Sequence, residues 1–281
     1  MLFRSETPVS ALLDAGNGLG QIVSTKAARL CRKKAEEMGM AAVVMRNSNH
    51  YGTSAYYCEM MAQNDMIAFS CSNVEPLMAP PGATRVAVGT NPFSVVAPCG
   101  KYTEIATDMA TSQVALGKVL NYRLLGKKLP GPFGIDEDGN TTDDPNKVKF
   151  LAPMGLHKGY GIAVIIDVLS AVLAGGAFGD DVNSQYGNVD KPNKLSHFFF
   201  CMKVDLFRDL ADFNADMEKY YEFLHGISTV DGGHLIVPGE IETSSKKRTA
   251  AEGITITEEL AKQLIEMAYG TVDKDIASYF E

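Results

Sequence analysis

Five short apolar runs between Ala41 and Asp108 limit the folds open to this chain. They are Ala41–Met45, Met66–Ser72, Val86–Val88, Phe93–Ala97 and Ile105–Asp108, each bounded by polar or turn-forming residues. Runs of this kind read as strands. Two parallel neighbours need about a dozen or more residues of crossover between them, usually a helix. Only a few residues separate Val88 from Phe93 and Ala97 from Ile105. The spacing therefore predicts a large mixed sheet and argues against a purely parallel one.

Helical patterns supply the flanking layers, which makes the fold class α/β. One runs from about Gln21 to Met38 and stops at Gly39. Others are expected over Thr53–Asn64, Ile162–Leu173, Val204–Leu224 and Thr257–Tyr269. The order strand (Val9–Leu13), glycine turn, helix, strand invites a dinucleotide-binding reading. Two features argue against it. The turn reads Gly16-Asn17-Gly18-Leu19-Gly20, so Gln21 stands where the third glycine of that fingerprint belongs. The next strand ends in Arg46 and Asn47 rather than an acidic residue that could hold a ribose. These glycines are read as turn formers.

Ile162–Leu173 is apolar nearly all round, which predicts a core helix, and Asp167 within it needs a partner. His197–Met202 reads as a buried strand and His234–Val237 as a short one. Residues 126–145 read as loop, and Asp136–Asn140 as a solvated turn without the ligand spacing of a calcium loop.

With 281 residues the chain is long enough for one large catalytic unit with interleaved subdomains. Its net charge of -8 makes nucleic acid or an anionic membrane surface an unlikely partner on charge grounds. Its longest apolar stretch is broken by Asp167 and too short to span a bilayer. Five scattered cysteines lack metal-binding spacing, and Met1 is not followed by an apolar leader. Both points predict a cytoplasmic protein with reduced thiols. The histidines do not show the spacing of a metal hydrolase, and no metal site is expected.

Two stretches carry candidate chemistry. His50, in Ser48-Asn49-His50-Tyr51-Gly52, follows the Ala41–Met45 strand where the sheet is rigid and the loop accessible. An imidazole can give or take a proton near neutral pH. The competing reading is a hydrogen-bonded structural histidine in a polar turn. Lys158, in Gly155-Leu156-His157-Lys158-Gly159-Tyr160-Gly161, stands at the positive end of a helix. That placement favours a bound anion between ammonium and helix amides. A surface lysine beside a helix start is the alternative.

Five motifs in fixed order give the chain a resemblance. They are Ser48-Asn49-His50-Tyr51-Gly52, Gly89-Thr90-Asn91-Pro92, Asp108-Met109-Ala110-Thr111-Ser112, Gly155–Gly161 and Val237-Pro238-Gly239-Glu240. Together they resemble the malate/L-lactate dehydrogenase family of the non-Rossmann kind, over essentially the whole chain. The resemblance implies an NAD(P)-dependent oxidoreductase acting on 2-hydroxy and 2-keto acids, with NAD the expected cofactor and NADP the alternative. A mixed-sheet fold unlike Rossmann and a homodimer are also implied. His50 matches the proton-exchanging histidine. Val74, Asp108, Met109, Ala110, Lys158, Gly159, Pro238, Gly239 and Glu240 match cofactor contacts. Arg46, Thr90 and Asn91 are the local candidates for the substrate. Family members also carry an N-terminal helical segment with a His-Gly-x-x-Arg motif, whose Arg grips the substrate carboxylate. These 281 residues do not contain that motif. The competing expectation is therefore a catalytically impaired homologue that keeps only cofactor binding or dimerisation.

Overall fold

The structure, a computed structural model, describes residues 1–185, 187 and 190–268. Residues 1–239 pack as one unit and open on an exposed strand, β1 (Leu2–Thr7), paired with β2 (Ser10–Asp14). Helix α1 (Gly20–Met38) stops at Gly39, whose φ of 91° favours a residue without Cβ. Then come β3 (Met40–Ser48), α2 (Ser54–Met61), β4 (Met66–Ser72), β5 (Phe93–Ala97) and β6 (Ile105–Met109). After α3 (Leu116–Leu124), the short strands β7 (Gly134–Ile135), β8 (Thr141–Thr142) and β9 (Phe150–Leu151) make a small separate sheet. Helix α4 (His157–Asp167) runs on into a π turn, Val168–Val172. Strand β10 (Leu195–Lys203) and helix α5 (Leu210–His225) follow. Residues 240–281 are a second unit, with α6 (Glu240–Glu252) and α7 (Glu258–Ala268). Thr257 Oγ1 caps α7 by accepting from Leu260 N.

Seven strands form one sheet in the order β1-β2-β3-β10-β4-β5-β6. Only β2 and β3 run parallel. The sheet is mixed and flanked by helices, as the strand spacing requires. Alternation along the strands separates its two faces. Val43, Met45, Ala68, Phe199 and Cys201 are buried with α1 and α2 on one face. Phe69, from the other face, borders a groove with Ile162 and Ile166 of α4.

That second face accounts for two departures from expectation. Ala42, Val44, Phe198 and Phe200 are only half-buried, so β3 is not sealed on both sides. Helix α4 is core along one stripe, while Ile165 is 57% and Leu173 58% exposed. A helix against one sheet buries one stripe, and its outer side needs a further layer.

Other differences are local. α4 begins at His157 rather than Ile162. Val86–Val88 makes a single bridge, Met78 to Val88, and His234 a single bridge to Ser228. Residues 126–145 contain the β7–β8 hairpin, with Asp136 Oδ1 accepting from the amides of Asp138 and Asn140. The helix expected over 204–224, which would include Phe207, starts only at Leu210, and Phe207 lies outside it. A 3₁₀ turn ends at Leu206, and Asp209 starts α5 afresh by accepting from Ala211 N and Asp212 N. Tyr269 lies outside the described residues. All five cysteines are buried and free.

Candidate functional site

β3 ends at Ser48, and Asn49-His50-Tyr51 leave the sheet as a turn held from three sides. Asn49 Nδ2 donates to the Asn17 carbonyl (3.1 Å), to Asn17 Oδ1 (3.0 Å) and to the Gly18 carbonyl (3.0 Å). A Cβ on Gly20 would stand 2.2 Å from the Asn49 carbonyl oxygen and 2.3 Å from that of His50. The glycine turn before α1 thus serves the His50 turn, and Gly20 is required for closeness. Underneath, buried Tyr51 stacks on His197 at 4.3 Å and on Tyr57 at 4.8 Å.

His197 lies fully buried, with Nδ1 2.8 Å from Ser72 Oγ. Burial pushes its pKa down to about 3, against a weaker pull from the Asn49 backbone, and the nearby His50 adds a small further push. His50 therefore sits above a neutral ring. Its own imidazole is exposed, and Nδ1 accepts from the Gly52 N–H at 3.3 Å. With Nδ1 as acceptor, the neutral ring carries its proton on Nε2. The Gly52 contact is at the long end of the range for a hydrogen bond.

His50 shares a pocket of about 160 Å³ with Val74, Glu75, Leu77, Thr90, Pro92, Leu116 and Gln185. Asn91 braces its back. Asn91 Oδ1 accepts from Val74 N at 3.1 Å, and Nδ2 donates to the Ala163 carbonyl of α4 at 2.8 Å. A Cβ on Gly89 would lie 2.5 Å from both Asn91 Oδ1 and the Val74 carbonyl, which is how these segments interlock. The same amide meets Asp167. Burial in α4 pushes that carboxyl up to about 6, and the hydrogen bond from Asn91 offsets only part of the shift.

Segments expected to line a cofactor touch the β6 stretch at its two ends: residues 238–239 at Glu104–Ala106, and Gly159 at Thr111, beyond Met109. Ala106 N donates to the Pro238 carbonyl at 3.1 Å. A Cβ on Gly239 would lie 2.7 Å from the Glu104 carbonyl, and its φ is 103°, so this turn needs glycine twice over. Asp108 and Met109 form the exposed end of β6, with Ala110 next. Beyond it, Thr111 N and Oγ1 both donate to the Thr90 carbonyl at 2.9 Å. A Cβ on Gly159 would lie 2.5 Å from the Thr111 carbonyl. Gly159 therefore acts by letting the first turn of α4 close on this strand end. The turn leading in is strained at Leu156, with φ 53°.

The helix amides invoked for an anion at Lys158 are already paired. Lys158 N and Gly159 N donate to the carbonyls of Gly155 and Met154, at 3.2 and 2.8 Å. What α4 offers an anion is the Lys158 ammonium, which is exposed and forms no ion pair among the described residues. It borders an apolar groove of about 560 Å³ with Phe93, Ile162 and Leu169, a different hollow from the His50 pocket.

The structure thus gathers His50, Val74 and Thr90 in one pocket. It brings Gly159 to Thr111, just past residues 108–110, and sets 238–239 at the opposite end of β6, while the Thr90–Thr111 hydrogen bonds tie the 108–111 end to the His50 pocket. Glu240 opens α6 in the second unit. Arg46 is engaged elsewhere: Nε meets Asp14 Oδ2 at 3.4 Å, and Nη1 donates to the carbonyls of Ala174 and Gly175. Asn91 is likewise spent on bracing, which leaves Thr90 as the candidate in the wall. Glu75, Leu77, Pro92, Leu116 and Gln185 were not anticipated. The four-residue repeat of Leu116, Leu120 and Leu124 is the signal that marks α3. Among the described residues, no group of three or more His, Cys, Asp and Glu is placed to hold a metal, and no helix is long and apolar enough to cross a membrane.

Comparison with known proteins adds a third line of evidence. The sequence profile described as malate/L-lactate dehydrogenase matches residues 2–265. L-sulfolactate dehydrogenase of Methanocaldococcus jannaschii is 33% identical over 98% of this chain and 79% of its own length. Ureidoglycolate dehydrogenase (NAD(+)) of Escherichia coli K12 is 32% identical over 92% of this chain and 74% of its own length. The solved structure of the M. jannaschii enzyme superposes with a TM-score of 0.86, covering 95% of this chain and 77% of that one.

Proposed function

The chain belongs to the malate/L-lactate dehydrogenase family, and from that membership we propose an NAD(P)-dependent oxidoreductase that interconverts a small 2-hydroxy acid and its 2-keto acid. The observation that carries this reading is His50. It is an exposed imidazole on a braced turn, opening into a pocket the size of a small acid. During oxidation the ring takes the hydroxyl proton of the substrate, and during reduction it returns that proton to the carbonyl oxygen. Thr90, in the same wall, can hydrogen-bond the acid. A bound nicotinamide supplies or accepts the hydride.

The residues along β6 fit such a cofactor. Asp108, Met109 and Ala110 form the end of the strand, Pro238 and Gly239 a close-packed turn at its beginning, and Lys158 an exposed cation for phosphate. Gly159 sets the distance of α4 from this strand end, and Val74 borders the substrate pocket. NAD is the cofactor we assign, in line with the name of the E. coli relative. The exposed stripe of α4 supports a homodimer, and buried free cysteines support a reducing, cytoplasmic setting.

The test is a panel of small 2-keto acids with NADH and NADPH, alongside fluorescence titration of each cofactor. Reduction of at least one acid, with tighter binding of NADH, is expected. Cofactor binding without reduction of any acid would overturn the assignment.

A further inference from the structure

Glu75 is the one carboxylate among the described residues lining the His50 pocket. It is 5% exposed. Among the described residues its Oε1 accepts one hydrogen bond, from Ser184 Oγ at 3.3 Å, beside the wall residue Gln185. No Lys or Arg among the described residues pairs with it, and the surrounding wall is neutral: Val74, Leu77, Thr90, Pro92 and Leu116. A carboxylate accepts about four hydrogen bonds, so Glu75 keeps most of its capacity for a ligand. In a confined, partly apolar space it attracts donors and repels anions strongly. When the reacting oxygen of an acid lies at His50, the remaining wall is left to its tail.

We infer that Glu75 sets the substrate class. It admits 2-hydroxy and 2-keto acids whose far end is an uncharged or cationic hydrogen-bond donor, such as an amide, ureido or ammonium group. It disfavours acids ending in carboxylate or sulfonate. The inference rests on the function proposed above.

A matched pair tests it: L-malate and its 4-amide, which share a shape and differ by one charge. Turnover is followed with NAD⁺, and binding to the NADH complex by calorimetry. The parent is expected to favour the amide in kcat/KM by about 10- to 100-fold. Glu75→Gln keeps an acceptor for Ser184, and it is expected to shrink that preference by about tenfold or more through improved use of malate, with NADH affinity unchanged. A parent that prefers malate overturns the inference without any variant, even if Glu75→Gln fails to fold. So does a folded Glu75→Gln that keeps the parent's ratio, or one that loses NADH affinity with the ratio intact. Oxidation of malate with no selectivity strikes only the role of Glu75. Failure of both acids to bind or turn over strikes the proposed function as well.

Discussion

The His50 turn and helix α4 border separate hollows and are held in place on opposite terms. Around His50 the chain supplies its own support. Asn49 is tied to the glycine turn, Tyr51 is stacked on a neutral buried histidine, and Gly20 presses α1 against the backbone. α4 is fixed at its N-terminal end by Gly159 and near its middle by Asn91, yet its outer stripe of Ile162, Ile165, Val168 and Val172 is exposed. A proton-exchanging group needs a defined position within fractions of an ångström. In the reading proposed above, a helix that offers one cation to a phosphate needs only these fixed points and can leave its outer face uncovered.

The buried ionisable group on each side turns this contrast into opposite pH slopes. His197 has a folded value of about 3 against an ordinary 6.5, so its contribution is complete above pH 6.5 and is lost as the pH falls towards 3. A shift of that size corresponds to roughly 5 kcal/mol. Urea titrations from pH 7 to 4 should therefore show a steep loss that His197→Phe flattens; an unchanged slope would mean the ring is not buried neutral. Gly20→Ala drives a methyl group into two carbonyls and should cost roughly 3 kcal/mol, along with turnover. A melting temperature equal to the parent's would remove the close contact from the account.

On the α4 side the sign reverses. Asp167 has a folded value of about 6 against an ordinary 3.8. Its contribution is present below pH 3.8 and is lost as the pH rises through 6, on the order of 2–3 kcal/mol. Asp167→Asn should thus stabilise the protein at pH 7.5 and give no gain at pH 3.5, which thermal melts at both values will show. Lys158→Ala should weaken NADH binding by about 1.5–3 kcal/mol, the range for a hydrogen bond to a charged group, and leave the fold intact. Calorimetry finding equal affinity would return Lys158 to the surface. Ile165→Ser should change monomer stability by no more than about 0.5 kcal/mol, because the side chain is already exposed. Its effect belongs to assembly, read by light scattering.

The same contrast sets what the sequence reveals. β4 and β5 match their apolar runs residue for residue, because strand alternation is local, whereas β3 runs past its apolar run to Ser48 before His50 leaves the sheet. The exposure of α4 is not local. Its apolar composition reads as core, and only the layers actually packed on it decide which stripe is covered. Arg46 and Asn91 looked free in sequence. Their partners, Asp14, Ala174 and Gly175 for one and Val74 and Ala163 for the other, lie too far along the chain for spacing to reveal. Glu75 is the converse case: it lies in a run with Pro76, Pro80, Pro81 and Gly82, whose local chemistry is that of an exposed loop, and only the fold buries it beside His50.

The central claim is that His50 exchanges the proton while separate residues hold the cofactor. His50→Ala tests it when turnover and NADH affinity are measured on the same preparation. Turnover should fall by roughly 10²–10⁴-fold with NADH affinity unchanged. Turnover within a few-fold of the parent would contradict the claim and return His50 to a structural histidine in a polar turn.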